Sequence, residues 1–355
     1  MEIRPFGNTK NGRKIVAILL KNENGMSVEL LNIGAAIRRL IVPAKDGQAV
    51  DVTLGYDTVD RYEVNYPMFG AVIGRYANRI RDAKYELNGK TYELQPWKTP
   101  GMPMLHSLPD TYAFRAWNYK TVSENGEESV TFYLHSPDMD QGYPGNADIA
   151  VTYTLTADNE LVLRYDADTD ADTLVNLTNH AYFNLNGHDS GDVLDHELFI
   201  DSTVVPEYEG ALCPNGKFRN IEGTPFDFTA AKTIGRDLHA EEAGIQSEFG
   251  FDVAYLVNGG KTSEEASLVA ELSSKKTGIA MEVYTDMPAL QLYTANRLNV
   301  RDAKGGASYR DYAGCCLETG FVANGINTEL PEKAILKAGE HFTSITVYRF
   351  KTSKD

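Results

Sequence analysis

Apolar and polar residues alternate with a period of two over much of this chain, and that pattern restricts the possible folds more than any other feature. The clearest case spans residues 148–169, DIAVTYTLTADNELVLRYDADT, in which Val151, Tyr153 and Leu155 alternate with threonines. After a turn at 157–160, a second alternating run begins at Leu161. Successive side chains of a β-strand point to opposite faces, so the pattern predicts a hairpin with one face in a core.

Similar segments recur from one end of the chain to the other. We predict two more hairpins, at residues 85–94 with a turn at Asn88-Gly89 and at 268–284 with a turn near 276–278, and a closing strand HFTSITVYRF. Only residues 234–243 suggest a helix, and no Pro- or Ser-rich linker divides the sequence. The prediction is therefore an all-β fold with very little helix, a single domain over residues 1–355 built as one large antiparallel β-sandwich.

The charge of the chain limits its partners. There are 34 Lys and Arg residues against 50 Asp and Glu, a net charge of -16. A field of this sign repels nucleic acid and anionic membrane surfaces, whereas a neutral small molecule is indifferent to it. The ordinary explanation of such a charge is solubility. We expect a small-molecule partner, no nucleic acid and no membrane.

The sequence also predicts a reduced, cytoplasmic protein. The first 20 residues lack the pattern of a secretory signal, and no apolar run approaches the ~18 residues that span a bilayer. The cysteines, Cys213, Cys315 and Cys316, are odd in number, and the adjacent pair would point to opposite faces of a strand. A disulfide framework is therefore not expected.

Three polar groups lie in apolar, strand-like surroundings. His180 is in NLTNHAYFNLNG, Glu318 is in AGCCLETG at the expected end of a strand before Gly320, and Arg79 follows Asn78 in IGRYANRIRDAKYELNG. Their ordinary explanations are a hydrogen-bonded core histidine, a surface strand end and a solvated edge charge. The alternatives are a desolvated base for Glu318 and a hydrogen-bonding clamp for Arg79. No one of these segments decides the matter.

A zinc site is a further alternative for His180, because His188 and His196 follow at intervals of eight. This spacing fits neither an i,i+4 pair on a helix nor the compact ligand clusters of common zinc sites. We expect no metal.

Longer motifs, taken in order, resemble one family. The chain contains GRYANRI at 74–80, PMLHS at 103–107, NHAYFNL at 179–185, GTPFDF at 223–228, PALQLYTAN at 288–296 and CLET at 316–319. In these motifs, and over essentially its full length, the sequence resembles the aldose 1-epimerase (galactose mutarotase) family.

The resemblance implies a β-sandwich of the galactose mutarotase type with an open cleft, and an activity on free aldohexoses such as D-galactose or D-glucose in hexose metabolism. It implies neither a metal nor an organic cofactor, and we expect a monomer or a homodimer. By motif, His180 matches the family's general acid and Glu318 its general base. Six residues match sugar-binding positions: Asn78, Arg79, His106, Tyr182, Asp252 and Gln291.

An acid and a base are what anomer exchange requires. A base removes the proton of the anomeric hydroxyl while an acid protonates the ring oxygen, and the ring opens to an aldehyde. A carboxylate can accept the first proton, and an imidazolium, with an ordinary pKa near ~6.5, can supply the second at neutral pH.

The chain departs from the family's pattern at three places near the sugar-binding positions. The family usually reads HGG where this chain has His106-Ser107-Leu108, and DH where it has Asp252-Val253. It has Thr-Gln after the base where this chain has Thr319-Gly320. These departures concern sugar preference and leave the acid and base intact.

Three other functions remain as alternatives. A relative acting on hexose 6-phosphates would need a cluster of Lys and Arg, and none is evident in the sequence. A non-catalytic sugar-binding module would not need both His180 and Glu318. A glycoside hydrolase would need two carboxylates rather than a glutamate and a histidine.

Overall fold

The computed structural model describes residues 1–124, 127–209, 213–241, 245–258, 266–330 and 333–352. The strands in chain order are β1 (Glu2–Asn8), β2 (Lys14–Lys21), β3 (Ser27–Leu31), β4 (Ala36–Pro43), β5 (Ala49–Asp51), β6 (Val72–Ile73), β7 (Arg79–Ile80), β8 (Lys84–Leu87), β9 (Lys90–Glu93), β10 (Met104–Leu105), β11 (Asn118–Glu124), β12 (Glu127–Ser136), β13 (Ala147–Leu155), β14 (Glu160–Thr169), β15 (Thr173–Leu174), β16 (Thr178–Asn179), β17 (Glu197–Ile200), β18 (Val204–Glu209), β19 (Cys213–Asn220), β20 (Lys232–Thr233), β21 (Asp252–Leu256), β22 (Ser267–Ser273), β23 (Ile279–Thr285), β24 (Ala289–Tyr293), β25 (Cys316–Gly320), β26 (Ile335–Leu336) and β27 (His341–Thr352).

Helix is confined to single turns in the described part of the chain. Two are α-helical, α1 (Val59–Tyr62) and α2 (Ile245–Glu248), and six are 3₁₀ turns: Arg81–Ala83, Tyr112–Phe114, Asp140–Gly142, Ile234–Asp237, Lys304–Gly306 and Gly325–Asn327. None of the helices in the described ranges is long and apolar enough to cross a membrane.

Three antiparallel sheets dominate the fold. The largest has nine strands in the order β11-β12-β13-β14-β27-β23-β22-β17-β20, the second is the meander β1 to β5, and the third is β21-β24-β25. Five two-stranded ladders complete the described sheets: β7 with β10, β6 with β16, β15 with β26, β18 with β19, and β8 with β9.

The main core lies between the nine-stranded sheet and the other two. Val151 and Leu163 of the large sheet, Leu30 of the meander and Leu317 of the three-stranded sheet all belong to one buried cluster. Each such fully buried side chain contributes about 1.5–3 kcal/mol relative to an exposed one. The predicted alternation therefore places one face of strands from all three sheets in a shared core, which confirms the all-β sandwich.

The three predicted hairpins and the closing strand are confirmed. They correspond to β13–β14, β8–β9 and β22–β23, and the last strand is β27. The helix predicted at 234–243 is wrong in extent. Only the 3₁₀ turn Ile234–Asp237 forms there, and residues 242 and 243 lie outside the described ranges. The single-domain organisation stays a prediction.

Candidate active site

The three-stranded sheet brings Asp252, Gln291 and Glu318 to one face. Its register pairs Asp252 with Tyr293, and Gln291 with Glu318. Residues directly opposite each other, and residues two apart on one strand, share a face of a sheet. The same register pairs Tyr293 with Cys316, which therefore joins this face too.

Glu318 lies in the middle of β25, and its expected position at the end of a strand is wrong. The strand continues through Gly320, which pairs with Ala289. A Cβ on Gly320 would meet the Asn176 side-chain oxygen at 2.9 Å, so this glycine permits a close approach rather than ending the strand. Alternation along β25 sends Leu317 into the main core and leaves Glu318 facing the cleft.

His180 reaches the same cleft from the short ladder of β6 and β16. Its backbone N–H donates to Ala71 at 2.8 Å, and its carbonyl accepts from Gly70 at 3.0 Å. These bonds hold the ring so that Nε2 lies 3.6 Å from Oε1 of Glu318. Both side chains are only 6% exposed, so the predicted acid and base meet in a largely dry setting.

Asn78, Arg79 and His106 come from the ladder of β7 and β10. The His106 backbone N–H donates to the Asn78 carbonyl at 2.9 Å, and the Asn78 backbone N–H donates to Nδ1 of His106 at 3.1 Å. Both residues have positive φ, 65° at Asn78 and 51° at His106, so each segment turns its side chain sharply out of the ladder. The two loops thus fix each other.

Four of the predicted sugar-binding residues form a closed ring of hydrogen bonds. Arg79 donates to Asp252 at 3.1 Å, and Gln291 donates to the other oxygen of Asp252 at 2.6 Å. Asn78 donates to Gln291 at 3.0 Å and accepts a longer bond from Arg79 at 3.4 Å. Each of these side chains has both its position and its donor or acceptor orientation set by its neighbours.

Tyr182 forms part of the cleft wall beside His180. Its ring centroid lies 5.1 Å from the His180 ring and 5.0 Å from the ring of Phe69, which packs behind it in the core. All eight predicted site residues line one cleft of about 450 Å³. His188 and His196 are elsewhere: His188 contacts the Tyr309 hydroxyl, and Nε2 of His196 accepts from Leu185.

The cleft also contains residues that the sequence did not indicate. Their side chains form its rim and its far wall, and neither the family resemblance nor a local pattern assigned them to the site: Tyr66, Met68, Trp97, Lys98, Met102, Leu105, Glu248, Asn296, Arg297 and Leu298. Only the folded chain brings these segments together.

In the segment His106-Ser107-Leu108, where the chain departs from the family's pattern, Ser107 and Leu108 have different surroundings. Ser107 is 3% exposed, and its Oγ accepts from the Tyr76 backbone N–H and bonds the Tyr76 carbonyl, both at 3.0 Å. It also lies 3.2 Å from the Tyr143 hydroxyl. Leu108, in contrast, lines the cleft. Of the two substituted glycine positions, 108 faces the cleft and 107 does not.

His106, His180 and Glu318 can each offer a ligand atom within 4.8 Å of the others, which is metal-like spacing. The hydrogen bonding of His106 does not fit a metal. Its Nδ1 accepts from the Asn78 backbone N–H, so in the neutral ring the proton is on Nε2, the nitrogen left to face the cleft. A metal ligand nitrogen must be unprotonated, so His106 is arranged as a hydrogen-bond donor.

Burial sets the protonation of the acid–base pair. It raises the pKa of Glu318 to about 8, with the charge of Asp252 acting in the same direction. It lowers the pKa of His180 to about 4, and it lowers the pKa of His106 well below its usual value. At neutral pH the His180–Glu318 pair therefore holds one proton, on Glu318.

Comparisons with known proteins show the family to which the chain belongs. The family described as aldose 1-epimerase matches residues 16–349. The aldose 1-epimerase of Haemophilus influenzae is 37% identical over 349 residues, covering 97% of this chain and 98% of that protein. The galactose mutarotase of Homo sapiens is 34% identical over 349 residues, covering 98% of each.

Solved structures give the same result for the fold. An aldose epimerase homologue from C. elegans has a TM-score of 0.83 at 31% identity, covering 95% of this chain and 98% of that one. A galactose 1-epimerase from Lactobacillus acidophilus has a TM-score of 0.85 at 24% identity, covering 99% and 98%. The family match and the curated relatives thus define a carbohydrate isomerase. The chain belongs to the aldose 1-epimerase family.

Proposed function

We propose that this protein interconverts the α and β anomers of free aldohexoses such as D-galactose and D-glucose, in cytoplasmic hexose metabolism. In this proposal one domain, residues 1–355, acts as a monomer or a homodimer. The main support is the position of His180 and Glu318, 3.6 Å apart and nearly buried in a cleft lined with sugar-type hydrogen-bonding groups. The anomeric and ring oxygens are bonded to the same carbon, so an acid and a base that serve both must also be close together.

Ring opening needs one proton taken and one given. The Glu318 carboxylate removes the proton of the anomeric hydroxyl, and the electron pair of that O–H bond forms the carbonyl. The bond between C1 and the ring oxygen breaks, and the ring oxygen takes the proton from Nε2 of His180. Rotation about C1–C2 presents the other face of the aldehyde, and reclosure runs the same transfers backwards.

The pKa shifts of Glu318 and His180 favour the protonation state that the two residues have when the ring is open. After ring opening, Glu318 is protonated and His180 is neutral. A Glu318 pKa of about 8 and a His180 pKa of about 4 favour that same protonation state at neutral pH. For opening to start, a proton must pass from Glu318 to Nε2 of His180. Their 3.6 Å separation is longer than a hydrogen bond, so the two groups must approach each other for this transfer.

The remaining polar groups are suited to recognise a sugar. Arg79 and the Nε2–H of His106 would donate to ring or hydroxyl oxygens and steady the negative charge that develops on the ring oxygen. Asp252 and Gln291 would bind hydroxyls, with Asn78 orienting Gln291 at 3.0 Å. Tyr182 would offer an apolar face to the sugar's C–H groups beside the catalytic histidine.

The alternatives have less support from the same contacts. A glycoside hydrolase would need a second carboxylate free to act, but Asp252 is held by Arg79 and Gln291. A phosphate would compete with carboxylates for two of the three Lys and Arg side chains that line the cleft, Arg79 at 3.1 Å from Asp252 and Arg297 at 3.7 Å from Glu248. The third, Lys98, lies over the Trp97 ring.

Polarimetry tests the proposal directly. Fresh α-D-galactose, α-D-glucose and D-xylose, each corrected for spontaneous mutarotation, should relax faster with the purified protein. Glucose 6-phosphate, followed by its anomerisation rate, serves as the comparison substrate. No acceleration with any free aldose would overturn the proposal, and acceleration only with the phosphate would replace it with the hexose 6-phosphate activity.

A further inference from the structure

Cys316 lies behind His180, the proposed acid. It shares the face of β25 with Glu318, two residues earlier in the strand. Its Sγ is 3.6 Å from Nδ1 of His180, within hydrogen-bonding distance for sulfur. The thiol is fully buried and does not belong to the cleft lining, so it contacts the histidine without reaching the sugar.

The proposed chemistry requires one particular form of His180. Nε2 faces Glu318 and must give up and regain a proton in each cycle, so the neutral ring must keep its own proton on Nδ1. A protonated Nδ1 needs an acceptor. The sulfur of Cys316 is a weak acceptor placed at that nitrogen, and the backbone of His180 itself gives the ring a second hydrogen bond, which also favours the protonated form.

A neutral sulfur has a different effect from a carboxylate in this position. A carboxylate at Nδ1 would stabilise the imidazolium and make His180 a weaker acid. Cys316 stays an uncharged thiol, because burial, with Glu318 nearby, raises its pKa well above the usual range. It can thus orient the ring and keep the imidazolium strongly acidic, as donation to a weakly basic ring oxygen requires.

We propose that Cys316 is a positioning residue that accepts a hydrogen bond from Nδ1–H of His180 and thereby reserves Nε2 for proton transfer. The adjacent Cys315 provides a matched comparison, since it is equally buried but packs into the main core on the opposite side. This inference rests on the proposed role of His180 as the acid.

Four variants and one spectroscopic measurement test the inference. Cys316→Ala removes the acceptor, Cys316→Val removes it while filling the space, Cys316→Ser restores an acceptor, and Cys315→Ala is the control. Nitrogen-15 NMR of the labelled histidines gives the His180 tautomer without any substrate. We expect Nδ1–H in the parent protein, in Cys316→Ser and in Cys315→Ala, and a mixture of tautomers in Cys316→Ala and Cys316→Val.

The kcat of each variant should follow the fraction of His180 that carries its proton on Nδ1. The loss of one modest hydrogen bond predicts a fall in kcat of about three- to tenfold for Cys316→Ala and Cys316→Val. KM should change less than kcat, because the thiol lies outside the cleft and touches the sugar-binding groups only through its hydrogen bond with Tyr182. The inference would be overturned if the parent protein had the Nε2–H tautomer. It would also be overturned if Cys315→Ala and Cys316→Ala had the same His180 tautomer and the same kcat. Failure of the proposed function would be seen separately, as a His180→Asn variant that keeps its kcat.

Discussion

Two histidines lie side by side in the cleft, with ring centroids 5.2 Å apart, and their surroundings prepare them for different tasks. The backbone N–H of Asn78 makes His106 a fixed donor at Nε2. His180 has no such backbone donor at its ring and instead directs Nε2 at a carboxyl group. Residue type alone would not separate these roles, because hydrogen-bond partners decide which nitrogen carries the proton.

Loss of either proposed proton carrier should remove most of the activity. Glu318→Gln keeps the shape but cannot accept the anomeric proton, and His180→Asn cannot deliver one to the ring oxygen. General acid–base catalysis contributes roughly 10²–10⁴-fold, so each variant should lose at least about a hundredfold in kcat with a smaller change in KM. The measurement is the optical-rotation decay of fresh α-D-galactose.

A matched control exists for the histidine. His196 is also buried and likewise has a pKa lowered to about 4 by burial, but it lies outside the cleft. His196→Asn should keep its kcat, with circular dichroism reporting the folding of every variant. A well-folded Glu318→Gln protein with the parent kcat would remove Glu318 from the mechanism.

The activity should show a bell-shaped dependence on pH. Below about pH 4 both members of the pair carry a proton, so no base is available, and above about pH 8 neither does, so no acid is available. The profile of kcat/KM against pH should therefore be flat near neutrality and fall on both sides. A single limb near pH 6.5, the ordinary value for histidine, would mean that burial does not control the pair.

Chelators should not inhibit the enzyme. The protonated Nε2 of His106 opposes a metal among His106, His180 and Glu318, and the proposed proton transfers need none. The rate should survive exhaustive treatment with EDTA, measured by the same polarimetric assay. Activity that is lost with EDTA and returns with zinc or another divalent ion would show that this view of the cluster is wrong.

Among the strands, the site depends on which strand pairs with which, and the pattern of residues within one strand does not reveal its partner. The alternation identified β13, β14, β22 and β23, because a strand with one buried face shows its period in the sequence. It did not place Glu318 correctly, because Gly320 resembles a strand breaker until its contact with Asn176 is known. The cleft face of β21, β24 and β25 follows from their register, which is set by partners 23 to 41 residues apart along the chain.

The loop after β10 should separate stability from sugar preference. Ser107→Gly removes the hydroxyl that bonds the Tyr76 backbone, a loss of about 1–3 kcal/mol. Glycine also adopts the positive φ of 54° at this position without strain, so the free energy of unfolding should fall by less than that. The ratio of kcat/KM for galactose over glucose should stay the same, because this hydroxyl is buried away from the cleft. Urea denaturation and polarimetry on both sugars provide the two measurements.

Leu108→Gly is the companion variant. Its side chain lines the cleft, so its removal should change the galactose-to-glucose ratio while kcat with the better sugar stays close to the parent value. If instead the Ser107 variant changed the ratio and the Leu108 variant did not, the loop would control recognition through its backbone shape.

For the whole molecule, the sequence predicted the sandwich far better than it predicted the cleft. A large core needs many alternating strands, and these are visible one at a time. The eight predicted site residues come from six separate segments, and only the family resemblance connected them. The resemblance did not supply rim residues such as Trp97 or Arg297, because rim positions carry neither a core period nor one of the shared motifs.

The stability of the molecule should also reveal the cost of burying Glu318. Its pKa of about 8 in the fold lies above the ordinary value of about 4.3 expected when unfolded. A group whose pKa is raised by folding contributes its full stability below the unfolded pKa, and that contribution is lost as the pH rises through the folded pKa.

Glu318→Gln cannot ionise and avoids this loss. The variant's Tm should thus exceed the parent's by a margin that grows between about pH 4.5 and pH 8 and then levels off, by several degrees for a shift on the order of a few kcal/mol. Glu86→Gln, on the exposed face of β8, is the control and should show no such trend. Calorimetry at a series of pH values measures the difference, and a Tm margin independent of pH would mean that Glu318 is already ionised in the folded protein.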